Sequence, residues 1–227
     1  MKQNFYTAIF LMLISTLGFA QGWGIETGLN FSKMQWEDIE GDVKLLEKSG
    51  QLTGLKIGIT YEFKLGGNFY AQPGLFYNRK GGIFTDTDWE EENASYSLKL
   101  NFLDIPVQLS YKYPLNEDIA LFMHATPYLS IGMGGTDEEC LGNTCAIYKV
   151  KFVNTFDTKM EEEQLQLFNF GGGAGLGMTF KNFYAKFEYY HHFTNLVPPD
   201  PGKKKSDYTE RLEINMISLS IGYRLKK

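Results

Sequence analysis

The chain has 227 residues, a formal net charge of −5, 24 glycines and 15% aromatic residues. That length holds one large domain or two small ones, and the acidic balance argues against a nucleic-acid partner. The two cysteines, with no histidine beside them, give little metal signal. Residues 1–20 come first, with Lys2, an apolar run from Ala8 to Leu17, and small residues Gly18 and Ala20 before the expected cut. That is the form of a cleaved secretory signal peptide. The run is too short for a membrane helix, which needs about 20 residues. The mature chain is then 21–227, one exported domain.

Beyond it the dominant signal is alternation with period two, the mark of half-buried strands. Strands are expected at roughly 22–33, 52–64, 68–80, 96–112, 118–134, 164–180, 183–196 and 211–225. The connections alternate as well: 34–51, 81–95, 135–163 and 197–210 are long, whereas "LGGN", "YPLNE" and "KN" are short. In a closed antiparallel barrel, successive connections emerge on opposite rims. The fold class is therefore all-β: an eight-stranded antiparallel transmembrane β-barrel with short periplasmic turns and long extracellular loops.

Alternation alone does not say which parity faces out. In a soluble ligand-binding barrel the apolar parity lies inside; in a membrane barrel it meets lipid. Aromatics gathered at strand ends, such as Trp23, Phe31, Phe69, Tyr111, Phe180 and Tyr223, favour the membrane reading. So do the ionisable groups on the polar parity: Glu26, Lys56, Glu62, Asp104, Lys186, Glu188 and Arg224 are expected to form an interior polar network. A barrel of this size is just wide enough to be filled by side chains, so no open pore is expected. Parity slips twice, between Phe102 and Leu103 and between Met216 and Ile217. Each slip marks a β-bulge or a strand that continues past the bilayer.

The stretches "NFLDIPVQLSY", "GIETGLNFS", "FYAQPGLFYNRKG", "NFYAKFEYYHHFTNL" and "SLSIGYRL" resemble successive strands of the PorT-like outer-membrane β-barrel family of Bacteroidetes. The resemblance covers nearly all of 22–225. It implies an eight-stranded barrel in the outer membrane of a Gram-negative bacterium, and it fixes no activity, since one member serves protein secretion and most have no assigned role.

The run "FGGGAGLG" at 170–177 departs from a dinucleotide loop, because Met178 stands where Gly173-Ala174-Gly175 requires the last glycine. Parity instead places Gly171, Gly173, Gly175 and Gly177 as a strip on the interior face, leaving room for Tyr184, Lys186 or Arg224. His191 and His192 are adjacent on a strand, point to opposite faces and so do not share a metal. His124 reads as a satisfied interior histidine. Asp86, Asp88, Glu90 and Glu92 form a solvated acidic loop without the glycine of a calcium loop. Lys203, Lys204 and Lys205 read as a solubilising loop run, ahead of the alternative of a charge contact with lipopolysaccharide phosphates. Cys140 and Cys145 are a candidate loop disulfide, which geometry decides. No cofactor, metal or catalytic residue is expected. The expected role is structural or surface-interacting, by a monomer surrounded by outer-membrane lipid and lipopolysaccharide, with an envelope or extracellular protein as candidate partner of the loops. The alternatives are an outer-leaflet lipid-modifying enzyme and a small secreted ligand-binding barrel.

Overall fold

The computed structural model describes residues 22–40, 43–85, 94–142, 144–157, 162–199 and 210–225. The expected signal peptide, the acidic run at 86–92 and the lysines at 203–205 lie outside the described residues. The strands are β1 (Gly22–Glu40), β2 (Val43–Lys48), β3 (Gly50–Gly66), β4 (Phe69–Thr85), β5 (Ala94–Pro114), β6 (Ile119–Leu141), β7 (Thr144–Val153), β8 (Glu163–Gln166), β9 (Phe168–Phe180), β10 (Phe183–His192) and β11 (Glu210–Arg224). No described helix is long and apolar enough to cross a membrane.

The pairing runs in a closed antiparallel circuit: β1, β3, β4, β5, β6, β9, β10, β11 and back to β1. The closing seam is continuous from Gly24 opposite Arg224 to Asp38 opposite Glu210. A closed wall removes the free edges that an open sheet exposes. One rim carries tight turns. Gly67 has φ +54 in the β3–β4 turn, and Lys181 has φ +54 in the β9–β10 turn. In the β5–β6 turn, Asn116 Oδ1 accepts from the backbone of Asp118 at 2.9 Å and Ile119 at 2.8 Å, an Asx turn. The described ends meet at this rim, where Leu225 N donates to Trp23 O at 2.7 Å.

The opposite rim differs from the expected loops. Much of 34–51 and 135–163 is strand. β1 runs on to Glu40 and pairs with β2, and β6 continues to Leu141 and returns as β7. Cys140 and Cys145 lie directly opposite in that hairpin and are disulfide-bonded. The expected strand 164–180 is broken at Leu167. Its first part, β8, leaves the wall to pair in parallel with β7. The expected strand 183–196 ends at His192, after which Asn195 Oδ1 accepts from the backbone of Val197 and Leu212. These segments read as loops because they are rich in Asp and Glu; outside lipid, nothing requires a strand to keep an apolar face.

Burial settles the direction of the wall. Ile25, Leu29, Leu55, Ile57, Ile59, Leu109, Leu121, Phe187, Leu219 and Ile221 are exposed, while Glu26, Asn30, Lys56, Thr60, Gln108, His124, Glu188 and Ser218 are buried. The apolar parity faces out, which removes the soluble ligand-binding barrel. Neither parity slip is a bulge in its own strand. On β5 the inward residues run Leu98, Leu100, Phe102, Asp104, and on β11 they run Leu212, Ile214, Met216, Ser218, without a break. What changes is the chemistry of the interior, apolar near the crown and polar below. The one register shift nearby skips Met133 of β6, between Asn101 and Phe102.

Candidate functional site

The interior is filled in layers. Nearest the turn rim, Glu62 binds Lys112 at 2.6 Å and Arg224 at 3.1 Å. Lys112 lies 3.9 Å above the Tyr70 ring and Arg224 5.1 Å above Tyr184, so both cations also meet aromatic faces. The next layer is a ring of alternating charge. Lys56 bridges Glu26 at 2.9 Å and Glu188 at 3.0 Å, and Lys186 bridges the same carboxylates at 3.1 and 3.2 Å. Tyr184 donates to Glu26 at 2.9 Å, Tyr190 donates to Glu188 at 2.7 Å, and Lys186 donates to Gln108 at 2.8 Å. His124 contacts Thr126 at 3.0 Å and lies 3.7 Å from Glu188. Above the ring, Asp104 receives Lys80 and Asn78 at 2.7 Å each, together with Ser130. His192 lies 3.4 Å from Lys80. The top layer is an apolar plug of Met34, Leu98, Leu100, Phe102, Val150, Leu165, Leu196, Leu212 and Ile214.

The residues expected on the polar parity thus fall into three groups rather than one: Glu26, Lys56, Lys186 and Glu188; Asp104; and Glu62 with Arg224. Sequence reasoning missed Lys80 and Lys112, the cations of the last two groups. Parity carried to the last residue of the expected strands 68–80 and 96–112 finds both: Lys80 continues Gln72 and Asn78, and Lys112 continues Asp104 and Gln108.

The glycine strip faces inward, and of the three residues expected beside it only Lys186 stands there, opposite Gly177. The register sets Gly177 between Phe122 and Lys186, Gly175 between His124 and Glu188, Gly173 between Thr126 and Tyr190, and Gly171 between Tyr128 and His192. A Cβ on Gly171 would meet the Tyr128 ring, and one on Gly173 the Tyr190 ring. Tyr184 lies over Gly222 instead, and Arg224 belongs to the turn-rim layer. The strip therefore lets large side chains of β6 and β10 lean across β9.

The crown rises beyond the plug and holds a cleft of about 1150 Å³. Its acidic wall follows from register. Asp137 is opposite Leu98 on one side and Tyr148 on the other, Glu139 is opposite Tyr96, and Glu163 is beside Val150. Trp36, Phe156, Val197 and Leu212 line the other side.

A family model described as an outer membrane protein beta-barrel domain matches residues 19–197. The chain belongs to that family. As an outer-membrane barrel, it is similar to Neisserial surface protein A at 11% identity, covering 91% of this chain and 100% of that one with a TM-score of 0.45. It is also similar to the attachment invasion locus protein Ail of Yersinia pestis, at 14% identity, 88% and 98% coverage and a TM-score of 0.36. A third such structure is the outer membrane protease OmpT of Escherichia coli, at 9% identity, 92% and 100% coverage and a TM-score of 0.46. No curated protein matches the sequence.

Membership makes the outward apolar band the lipid contact. Aromatic belts bound it: Trp23, Phe69, Phe180, Phe183 and Tyr223 at the turn rim, and Phe168, Phe170, Tyr189 and Phe193 at the other. From Phe170 to Phe180, at about 3.3 Å per residue and a tilt of about 40°, the band is roughly 25 Å tall. The crown lies outside it. There, burial and the neighbouring Asp137 and Glu139 push the Glu163 carboxyl up to about 7, and burial raises Asp137 as well. Burial and the same acidic neighbours raise the Tyr96 phenol. The exposed Glu162 goes the other way, lowered by its hydrogen bond to Lys151.

The sign of the resulting pH effect is fixed by linkage. A carboxyl raised in the folded state keeps its proton when the unfolded chain has lost it, so stability falls as pH rises between the two values. Glu163 gives a window from its ordinary value of 4.5 to about 7. Hydrogen exchange of β7 and β8 amides, corrected for intrinsic rate, is expected to show less protection at pH 8 than at pH 5, by at most about 3 kcal/mol. Glu163→Gln is expected to flatten that slope; an unchanged slope places the effect elsewhere.

Proposed function

We propose that the chain is an eight-stranded, PorT-like outer-membrane barrel with its turn rim in the periplasm and its crown outside the cell. Its role is structural or surface-interacting, rather than transport or catalysis. It works as a monomer in outer-membrane lipid and lipopolysaccharide, with the crown as the face offered to an envelope or extracellular protein. The observation that carries this reading is the filled interior. The void among Lys56, Phe76, Asn78, Asp104, Tyr128, Tyr190 and Met216 is about 10 Å³, at or below what one water needs. A channel requires a continuous wet path, and each interior layer is crossed by ion pairs or apolar packing.

The outer wall gives little support to lipid modification. His191 faces outward, but its Nδ1 meets Asn215 Oδ1 at 2.6 Å, an atom that the Tyr189 hydroxyl also reaches at 2.9 Å. An amide stands where covalent catalysis needs an activated nucleophile.

The test is conductance of the purified protein in planar bilayers, together with heat-dependent migration on detergent gels. No stable conductance steps and a heat-dependent shift are expected. Large, long-lived steps would overturn the plugged interior, and a monomer soluble without detergent would overturn the barrel.

A further inference from the structure

The crown cleft carries an excess of acidic groups that the fold compensates only in part, through side-chain hydrogen bonds of Asp137 with Tyr96 and Glu163. Asp137, Glu139 and Glu163 share the inner face of neighbouring strands, an arrangement of like charges that costs stability. Among the described residues, none of the three has an ion pair. Of the nearby cations, Lys99 pairs with Glu138, Lys151 with Glu162 and Arg211 with Glu213, while Lys149, which also lines the cleft, is exposed to solvent and pairs with none of the three acids. Asp137 is only 4% exposed, yet its Oδ1 has no hydrogen-bond partner, and neither has Oε2 of Glu163. Buried polar atoms without partners are few in native proteins, and each calls for an explanation. Both residues line the cleft.

The missing partner is a cation, and the walls indicate which kind. Trp36, Tyr96 and Tyr148 line the same space. Aromatic faces beside carboxylates suit an organic ammonium or guanidinium, which gains from ring and carboxylate together. A bare divalent ion needs several oxygens converging at bonding distance. Here only two carboxyls meet, Asp137 and Glu163, which share a hydrogen bond; the one tight group of three potential ligands described is Glu138 with the disulfide-bonded Cys140 and Cys145. The cleft of about 1150 Å³ is also far larger than a single side chain or small amine.

The adjoining strand supplies a backbone template. β7 pairs with β6 from Thr144 to Val150, but β8 covers its other edge only from Val150 onward. Among the described residues, the edge from Thr144 to Lys149 has no strand partner. An extended segment added there would alternate its side chains, sending every second one toward Tyr148 and Asp137.

We propose that the crown cleft binds an extended polypeptide segment carrying lysine or arginine at alternate positions, added as a strand to the β7 edge with its cationic side chains between Asp137, Glu163 and the aromatic wall. This rests on the surface-interaction reading above and names the partner's chemistry. The raised carboxyl of Glu163 fits an acidic site waiting for its counter-charge.

The test uses the full chain in lipid nanodiscs at pH 7.5. The probes are an eight-residue peptide with arginine at alternate positions, the same peptide with glutamine, spermidine, and calcium alone. Binding is read by calorimetry. The arginine peptide is expected to bind at least 10-fold more tightly than the glutamine peptide, and to weaken as salt rises. Asp137→Asn with Glu163→Gln is expected to lose 10-fold or more of that affinity while folding at least as well as the wild type, because it removes buried like charges. Glu139→Gln, at an exposed position, is expected to cost a smaller factor and guards against misfolding of the double variant; heat-dependent gel migration scores the fold of each. Equal binding of both peptides, unchanged affinity in the double variant, or spermidine or calcium binding as tightly as the peptide would overturn the proposal. Conductance is measured separately, so an open pore would sink the plugged-barrel reading without deciding this one.

Discussion

Glu188→Gln is expected to destabilise the folded barrel by about 3–5 kcal/mol, the usual cost of removing one partner from a buried ion network. Glu188 closes the ring of alternating charge in which Lys56 and Lys186 each touch two carboxylates. Without it, two buried ammonium groups share Glu26 alone, and Tyr190 loses its charged acceptor. The amide offers one oxygen where the carboxylate served Lys56 with one oxygen and Lys186 and Tyr190 with the other. Adding Lys186→Met restores a neutral interior, with Lys56 still paired to Glu26. The double variant is therefore expected to lose less than the sum of the single losses, by about 1–3 kcal/mol of coupling. Urea unfolding from phospholipid vesicles, followed by tryptophan fluorescence, measures all three. A Glu188→Gln loss below about 1 kcal/mol would mean that water screens the ring, and the filled interior would fall with it.

Much of this interior was legible because lipid imposes a strict rule on the wall. A spanning strand keeps its outward side chains predominantly apolar, so Ile25, Ile57, Leu109 and Leu219 announce the orientation of their neighbours. Glu26, Lys56, Lys186 and Glu188 then fall inside by parity, and closure brings β1, β3 and β10 into reach of one another. Sequence did not say which charge meets which. Pairing of side chains across the barrel, such as Lys56 with Glu188, depends on tilt and stagger as well as parity. The division into three groups follows from that geometry.

The crown was far less legible, for the converse physical reason. Above the belt of Phe168, Phe170 and Phe193, water bathes the outer face, and the inward residues pack against one another. Leu98, Leu100, Ile214 and Leu212 then carry the apolar parity inward, so the pattern appears to slip although the strands run straight. Asp137, Glu139 and Glu163 read as loop solubility, since charge in a polar segment is ordinarily solvated. Only the register of β5, β6, β7 and β8 shows that these three carboxyls share one face. The parallel pairing of β8 with β7 had no local signal at all, because four residues carry too short a pattern to assign.

Gly173→Leu is expected to abolish assembly of the barrel, whereas Ala174→Leu, one residue along the same strand, is expected to be nearly silent. Gly173 faces the interior between Thr126 and Tyr190. A Cβ there would lie 2.7 Å from the Tyr189 carbonyl oxygen, a backbone atom fixed by the β9–β10 ladder, and would overlap the Tyr190 ring. Even Gly173→Ala is expected to cost about 1–3 kcal/mol by overpacking. Tyr190 has no easy retreat, because its ring packs 5.5 Å from that of Tyr128 and its hydroxyl is held by Glu188. Displacing it would therefore strain the charge ring as well. Ala174 points outward, where a larger apolar side chain meets lipid. Heat-dependent gel migration after refolding into vesicles scores assembly, and urea midpoints rank the variants that fold. If Ala174→Leu blocks folding and Gly173→Leu does not, the register of β9 is off by one residue, and every side chain assigned to its two faces changes sides.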